Sequence, residues 1–359
     1  MPTNAHRSPA RRLIERLGNT IAGLFPGYFA LVMATGIVSI AGHFLGWPLL
    51  SRALLAVNLP AYAVLVALTA ARIVIHPRRL AADLADHARG SGYFTVVAGT
   101  CVLGSQCLLV AGWRGVAETL FTAGVALWFL VMYAFFGAVI VRSKKPTLEQ
   151  GINGAWLLAT VATQSVAILA IALGDPFGWP KETVAFGALV FFLIGCMLYL
   201  AIITLIFYRF TFLPLEVATL TPPYWISMGA VAITTLAGSS LVLARGRMSL
   251  LDELAPFLKG FTLFFWAAGS WWIPLLLVLG VWRHLLRRHP ITYDPQYWGM
   301  VFPLGMYTAA TFQLSEALPF PLLAGLASIV YPVAFLAWSL AILGLLRRLL
   351  SRTQQSQAV

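Results

Sequence analysis

Two titratable side chains, His43 and Glu316, lie in or beside the apolar parts of this 359-residue chain, where they could serve as acid and base or as ligands. Metal catalysis usually needs about three protein ligands, and no further His, Cys, Asp or Glu joins these two. No metal, no cofactor and no enzymatic activity is therefore expected. None of the 12 acidic residues falls in the middle of an apolar stretch, whereas proton relays, cation sites and voltage sensors depend on embedded ionisable groups. Neutral polar groups remain, and they recur with helical spacing. Thr35, Ser39 and His43 follow at intervals of four; Asn153, Thr160 and Gln164 share a face; so do Thr95, Gly99 and Gln106, and Ser227, Thr234 and Gly238. Phe302, Met306, Ala309, Gln313 and Glu316 form a further face that begins at a Phe-Pro pair. Such hydroxyls and amides can bond their own helix or join neighbouring helices. As a set on several helices, they can also line a path that anions cross without being trapped, given a basic mouth.

The elements that must carry these residues are membrane spans. Hydrophobic residues make up 60% of the chain and charged residues 10%, against about 25% charged in an average soluble domain. Apolar stretches of spanning length fall at 28–46, 53–75, 93–112, 117–141, 151–173, 184–207, 224–244, 260–282, 297–317 and 322–346. The chain thus divides into a basic N-terminal segment (1–24), a ten-helix membrane domain (25–348) and a C-terminal tail (349–359). Of the 24 Lys and Arg residues, 18 fall on the side that holds both termini, which makes that side cytoplasmic. The net charge of +12 is then a topology signal, and no nucleic-acid partner is expected. Cys101, Cys107 and Cys196 lie within spans and form no disulfide or zinc spacing.

An internal repeat organises the spans. Tyr28-Phe29, Tyr93-Phe94, Ala155-Trp156, Tyr224-Trp225 and Tyr297-Trp298 open the odd-numbered spans, which makes five helical hairpins. Interfacial aromatic belts alone could supply such pairs, but small residues follow at matching depth, among them Gly36, Cys101, Thr163, Ala232 and Gly305. The odd spans also hold more than twice as many Ser, Thr, Asn, Gln and His per residue as the even ones. An inner ring of odd helices inside an outer ring of even helices is predicted. Its repeat positions Met33, Ala98, Thr160, Gly229 and Phe302 would lie at one level. Pro303 removes a backbone donor inside the ninth span and should free the carbonyl of Gly299. Phe302 beside it either packs against a neighbour or projects inward as a hydrophobic constriction.

Phe25-Pro26-Gly27-Tyr28-Phe29, Met33-Ala34-Thr35-Gly36, Tyr224-Trp225-Ile226-Ser227-Met228-Gly229-Ala230 and Trp298-Gly299-Met300-Val301-Phe302-Pro303-Leu304-Gly305, in this order, resemble the tellurite-resistance/dicarboxylate transporter family. That family includes plant slow anion channels, malate permeases and sulfite exporters. The resemblance implies an all-α, quasi-fivefold bundle of hairpins around a central pore, a homotrimer with independent pores, and occlusion of the pore by Phe302. The expected activity is permeation of a small anion, with chloride, nitrate, sulfite and a dicarboxylate such as malate as candidates, through an integral protein of a bacterial inner membrane. The pore-lining candidates are Thr35, Ser39, His43, Thr95, Gly99, Gln106, Thr160, Gln164, Ser227, Gly229, Thr234 and Gln313, with Phe302 and Pro303 as the gate. Proton-coupled dicarboxylate or sulfite transport, using His43 and Glu316, is the alternative.

Overall fold

The described residues are 18 and 20–357 of a computed structural model, with side chains to Ser351, and they contain helices and no strand. Most of the basic N-terminal segment, with Arg7, Arg11, Arg12 and Arg16, lies outside them. The long helices are α1 (Ala30–Phe44), α2 (Pro48–Ile75), α3 (Phe94–Ala111), α4 (Arg114–Val141), α5 (Leu158–Leu173), α6 (Lys181–Phe212), α7 (Ile226–Leu243), α8 (Ser249–Val281), α9 (Trp298–Ala317) and α10 (Pro321–Gln357). All except α9 are long and apolar enough, by composition, to cross a membrane. This is an all-α membrane protein. Helix α9 is the most polar of the odd helices because Thr308, Thr311, Gln313, Ser315 and Glu316 fall in its second half. Helix α10 continues to Gln357, so the segment expected to be a tail is largely helical.

Each odd helix is entered through a single 3-10 turn: Pro26–Phe29, Gly90–Tyr93, Gly154–Leu157, Pro222–Trp225 and Pro295–Tyr297. Local chemistry explains the turns. Proline opens three of them, where its fixed φ suits a helix start and its missing N–H costs nothing. Side-chain caps serve two of the five: Asn153 accepts from the Ala155 amide at 2.9 Å at the Gly154 turn, and Asp294 accepts from the Gln296 amide at 2.8 Å at the proline-opened Pro295 turn. Asn153 therefore caps a turn instead of belonging to a polar stripe. At the opposite end of α3, Gly112 takes φ 70° and the amides of Gly112 and Trp113 close on Leu108 and Cys107, a conformation that glycine adopts without strain.

Burial separates the two sets of helices. Between 78% and 89% of the most apolar window of α1, α3, α5 and α7 is buried, against 17% to 39% for the even helices. The odd helices pack in succession, α1 on α3, α3 on α5, α5 on α7, α7 on α9, and α9 back on α1. Small residues permit the approach: a methyl added at Gly229 would meet Pro303 Cγ of α9 at 2.7 Å, and one at Gly305 would meet Ile37 and Val38 of α1 at 3.0 Å. Each even helix in turn clasps the odd helix of the next hairpin. Tyr62 of α2 bonds Thr100 at 2.9 Å, and Trp128 of α4 donates to Thr163 at 2.8 Å. Tyr199 of α6 donates to the Ser227 carbonyl at 3.4 Å, Trp266 of α8 to Thr311 at 3.0 Å, and Trp338 of α10 to Thr35 at 3.0 Å.

Arginines at the far ends of the even helices tie each hairpin shut. Arg72 donates to the carbonyls of Ala22 and Leu24 ahead of α1, and Arg142 to Ala85 ahead of α3. Arg209 donates to Ile152 ahead of α5 and Arg283 to Leu220 ahead of α7, while Arg348 lies 6.0 Å over the ring of Tyr293 ahead of α9. A chain entering the bundle has carbonyls that no helix satisfies, and a guanidinium at a helix C-terminus also complements the helix dipole.

Candidate functional site

Two cavities lie at opposite ends of the odd helices, and each draws on all five. The first, about 30 Å³, sits where the helices begin and is lined by residues that include Met33, Thr95, Leu158, Ile226, Gly299 and Phe302. The second, about 200 Å³, sits where they end, with Ile40, Ser105, Ile168, Leu236, Arg247 and Gln313 in its wall. In every odd helix the lining residues of the two cavities fall on one face at spacings of three and four. Continuing that spacing places Ala98, Val161 and Gly229 level with Met33 and Phe302. Thr160, taken from the sequence as the third member of this level, is one position off the face. Ile37, Val102, Ser165, Ile233 and Met306 follow at the next level, and all five are 5% exposed or less. The space between the cavities is closed by mostly apolar side chains.

Phe302 is 1% exposed and faces the first cavity together with Met33. Pro303 is turned onto Gly229 of α7. The proline sits inside an unbroken α9, held where the missing side chain of glycine makes room for its ring. Thr95 lines the same cavity, and its hydroxyl donates to the Gly92 carbonyl at 2.7 Å. Gln313 lines the second cavity.

The other polar stripes engage neighbouring helices or their own backbone. Thr35 accepts from Trp338, and Ser39 donates to the Ser51 carbonyl of α2 at 2.7 Å. Gln106 accepts from Asn58 of α2 at 2.8 Å, and Gln164 donates to the Phe192 carbonyl of α6 at 3.1 Å. Thr234 bonds back to Ala230 at 2.7 Å, while the buried hydroxyls of Thr160 and Ser227 have no partner. Gly99 faces the start of α1 at Phe29. His43 and Glu316 are exposed at the ends of α1 and α9, and neither lines either of these two cavities. Arg247 is the functional candidate that sequence reasoning passed over: it stands with Arg245 in a connection between spans, where an arginine carries no spacing signal.

Comparison with known proteins supplies the family. The chain matches the family described as voltage-dependent anion channel over residues 24–346. It belongs to that SLAC1 family. An uncharacterized transporter of Methanocaldococcus jannaschii is 22% identical over 338 residues, covering 90% of this chain and 92% of the relative. The sulfite efflux pump SSU1 of Trichophyton rubrum is 23% identical over 322 residues, 82% of this chain and 83% of the relative. An uncharacterized membrane protein of Mycobacterium tuberculosis is 37% identical over 153 residues, 42% of this chain and 77% of the relative. The family is described as a channel and two of these relatives are named a transporter and a pump, which supports anion transport across a membrane. For a SLAC1-family chain, the two cavities on the shared faces of the odd helices are the natural place to seek the path.

Proposed function

We propose that this protein is a passive pathway for small anions, running along the shared faces of α1, α3, α5, α7 and α9 and held closed by Phe302 beside Met33. The observation that carries the reading is the pair of cavities, one at each end of the same five faces, separated by buried and mostly apolar side chains. In this reading all ten long helices span the bilayer as five hairpins with quasi-fivefold symmetry, and α9 can be polar because α1 and α7 flank it. The excess of Lys and Arg at the starts of the odd helices puts that end and both termini in the cytoplasm, in a bacterial inner membrane. Five helix N-termini converge there, and their partial positive charge favours an anion over a cation. Assembly as a homotrimer with independent pores is the family arrangement carried over to this chain.

Sulfite is the favoured cargo because the SSU1 relative is named a sulfite efflux pump; chloride, nitrate and malate complete the panel. Neither His43 nor Glu316 lines either of these two cavities, which favours permeation without proton coupling. The decisive experiment is anion flux into proteoliposomes by wild type and Phe302→Ala, with and without a proton gradient. The expected result is faster flux in the variant, independent of the gradient, with a thermal midpoint near wild type. Unchanged flux with the loss of about 3–5 kcal/mol typical of a packed phenylalanine would remove the gate.

A further inference from the structure

The 200 Å³ cavity lies where the odd helices end, and helix C-termini are a poor place for an anion because their free carbonyls carry partial negative charge. A path for anions needs a compensating cation at this mouth. Arg247 is the charged residue in the cavity wall. Its Nη1 donates to the carbonyl of Ile171, in the last turn of α5, at 2.6 Å. That bond both covers an exposed carbonyl and fixes the guanidinium. The loop beneath is fixed as well: Gly246 at φ 82° donates its amide to Asp252 at 3.0 Å, and the Arg247 amide donates to Ala244 at 3.3 Å. Among the described residues Arg247 makes no ion pair, and its Nε and Nη2 have no protein acceptor.

Arg114 is the contrast. It reaches the same end of α5, at Leu173, but pairs with Glu118 at 3.0 Å and Asp175 at 2.6 Å, so its charge is neutralised within the protein. Arg247 keeps its charge for the cavity. Ser105 and Gln313 stand in the same wall with no hydrogen bond among the described residues, while the Ser240 hydroxyl is bound to the Leu236 carbonyl at 2.8 Å.

Resting on the anion-pathway reading, we infer that this vestibule is a binding site for a monovalent oxyanion, docked on the free edge of Arg247 with Gln313 and Ser105 as neutral partners. The Nε–Nη2 edge offers two parallel donors that match two oxygens of one oxyanion, where a halide can take only a point contact. One cation in a largely apolar wall compensates one negative charge; a dianion would bring a second charge out of water without a partner. At about 200 Å³ the cavity is far above the roughly 10–15 Å³ that one water needs, which leaves room for a partly hydrated nitrate or hydrogensulfite.

The test uses the full-length protein with nitrate as probe, sulfate as the dianion and isethionate as the bulky control. Nitrate should raise the thermal midpoint of wild type and of Phe302→Ala; Arg247→Gln should abolish that rise, Arg247→Lys should keep part of it, and sulfate should produce little. In Phe302→Ala liposomes, adding Arg247→Gln should raise the half-saturating nitrate concentration at the Arg247 side about tenfold, a change on the scale of one charge-assisted hydrogen bond. Gln313→Leu, which leaves the arginine and its Ile171 bond intact, should raise it by a smaller factor. An Arg247→Gln protein that keeps both the nitrate-dependent stabilisation and the wild-type half-saturation would overturn the site. Absence of flux in wild type and Phe302→Ala, with stabilisation still lost in Arg247→Gln, would overturn the pathway and leave the site standing.

Discussion

Phe302 and Met33 face the same small cavity from helices distant in sequence, so their truncations should couple. Removing either side chain leaves the other in the path, whereas removing both opens one continuous void. Met33→Ala alone is expected to raise anion flux less than Phe302→Ala, and the double variant more than the product of the two, as neighbours that share a cavity depart from additivity. Liposome flux of the four proteins checks this. Gly229 makes a different residue-scale claim, since its Cα is covered by the Pro303 ring. Gly229→Val should lower stability by about 1–3 kcal/mol through overpacking, read as a reduced thermal midpoint, because proline cannot rotate away as a flexible side chain would. The Phe-Pro pair was legible in the sequence as an unusual feature of a span. That the proline presses on Gly229 while the phenylalanine takes the cavity was not, because two residues adjacent on a helix point about 100° apart and nothing local says which is inward.

Hairpin closure by arginine belongs to the element scale. Arg209 is 4% exposed, donates to Ile152 at 2.9 Å and lies 5.6 Å over the Tyr224 ring. Arg209→Met should cost about 1–3 kcal/mol by stranding a buried carbonyl, with Arg209→Lys restoring part of it. Arg142 makes the equivalent bond to Ala85 at 2.9 Å from an exposed position. Water can replace it, and Arg142→Met should change the thermal midpoint little. Measuring both midpoints in the same detergent separates a structural clasp from a topology charge. In the sequence these arginines read only as positive-inside residues. The polar stripes have a similar history: the spacing of Thr35 with Ser39 or of Gln106 with Gly99 identifies a helical face, but the partner of that face is supplied by Trp338, Ser51 and Asn58 on other helices.

At the scale of the whole molecule, burial of the odd helices and of the even-helix faces packed against them predicts protection of the side chains there, on α3 for Cys101 and Cys107 and on the inner face of α6 for Cys196. Cys101, Cys107 and Cys196 are free and at most 3% exposed. A membrane-permeant maleimide should label none of them in the folded protein and all of them after denaturation; rapid labelling of Cys101 under native conditions would contradict the packing of α3 between α1 and α5. The even helices show the opposite pattern, with Leu130, Met197, Val278 and Ile329 more than half exposed, as a lipid-facing surface requires.

Composition, the length of the apolar stretches and the repeated aromatic starts were enough to establish a helical membrane protein of repeated hairpins with an inner and an outer set of spans. These properties follow from hydrophobicity and from periods along a single chain, and solvent enforces them wherever the helices pack. The motifs around Phe25, Tyr224 and Trp298 also carried the family. Tertiary structure alone decided which face of each odd helix meets its counterparts. It turned most hydroxyl and amide stripes toward the outer helices, left a mostly apolar face between two cavities, and brought Arg247 from a loop to the end of α5. The physical reason is that polar groups within a membrane protein must find partners, and those partners here stand on helices separated by between 12 and 303 residues of chain, a pairing that no local period encodes.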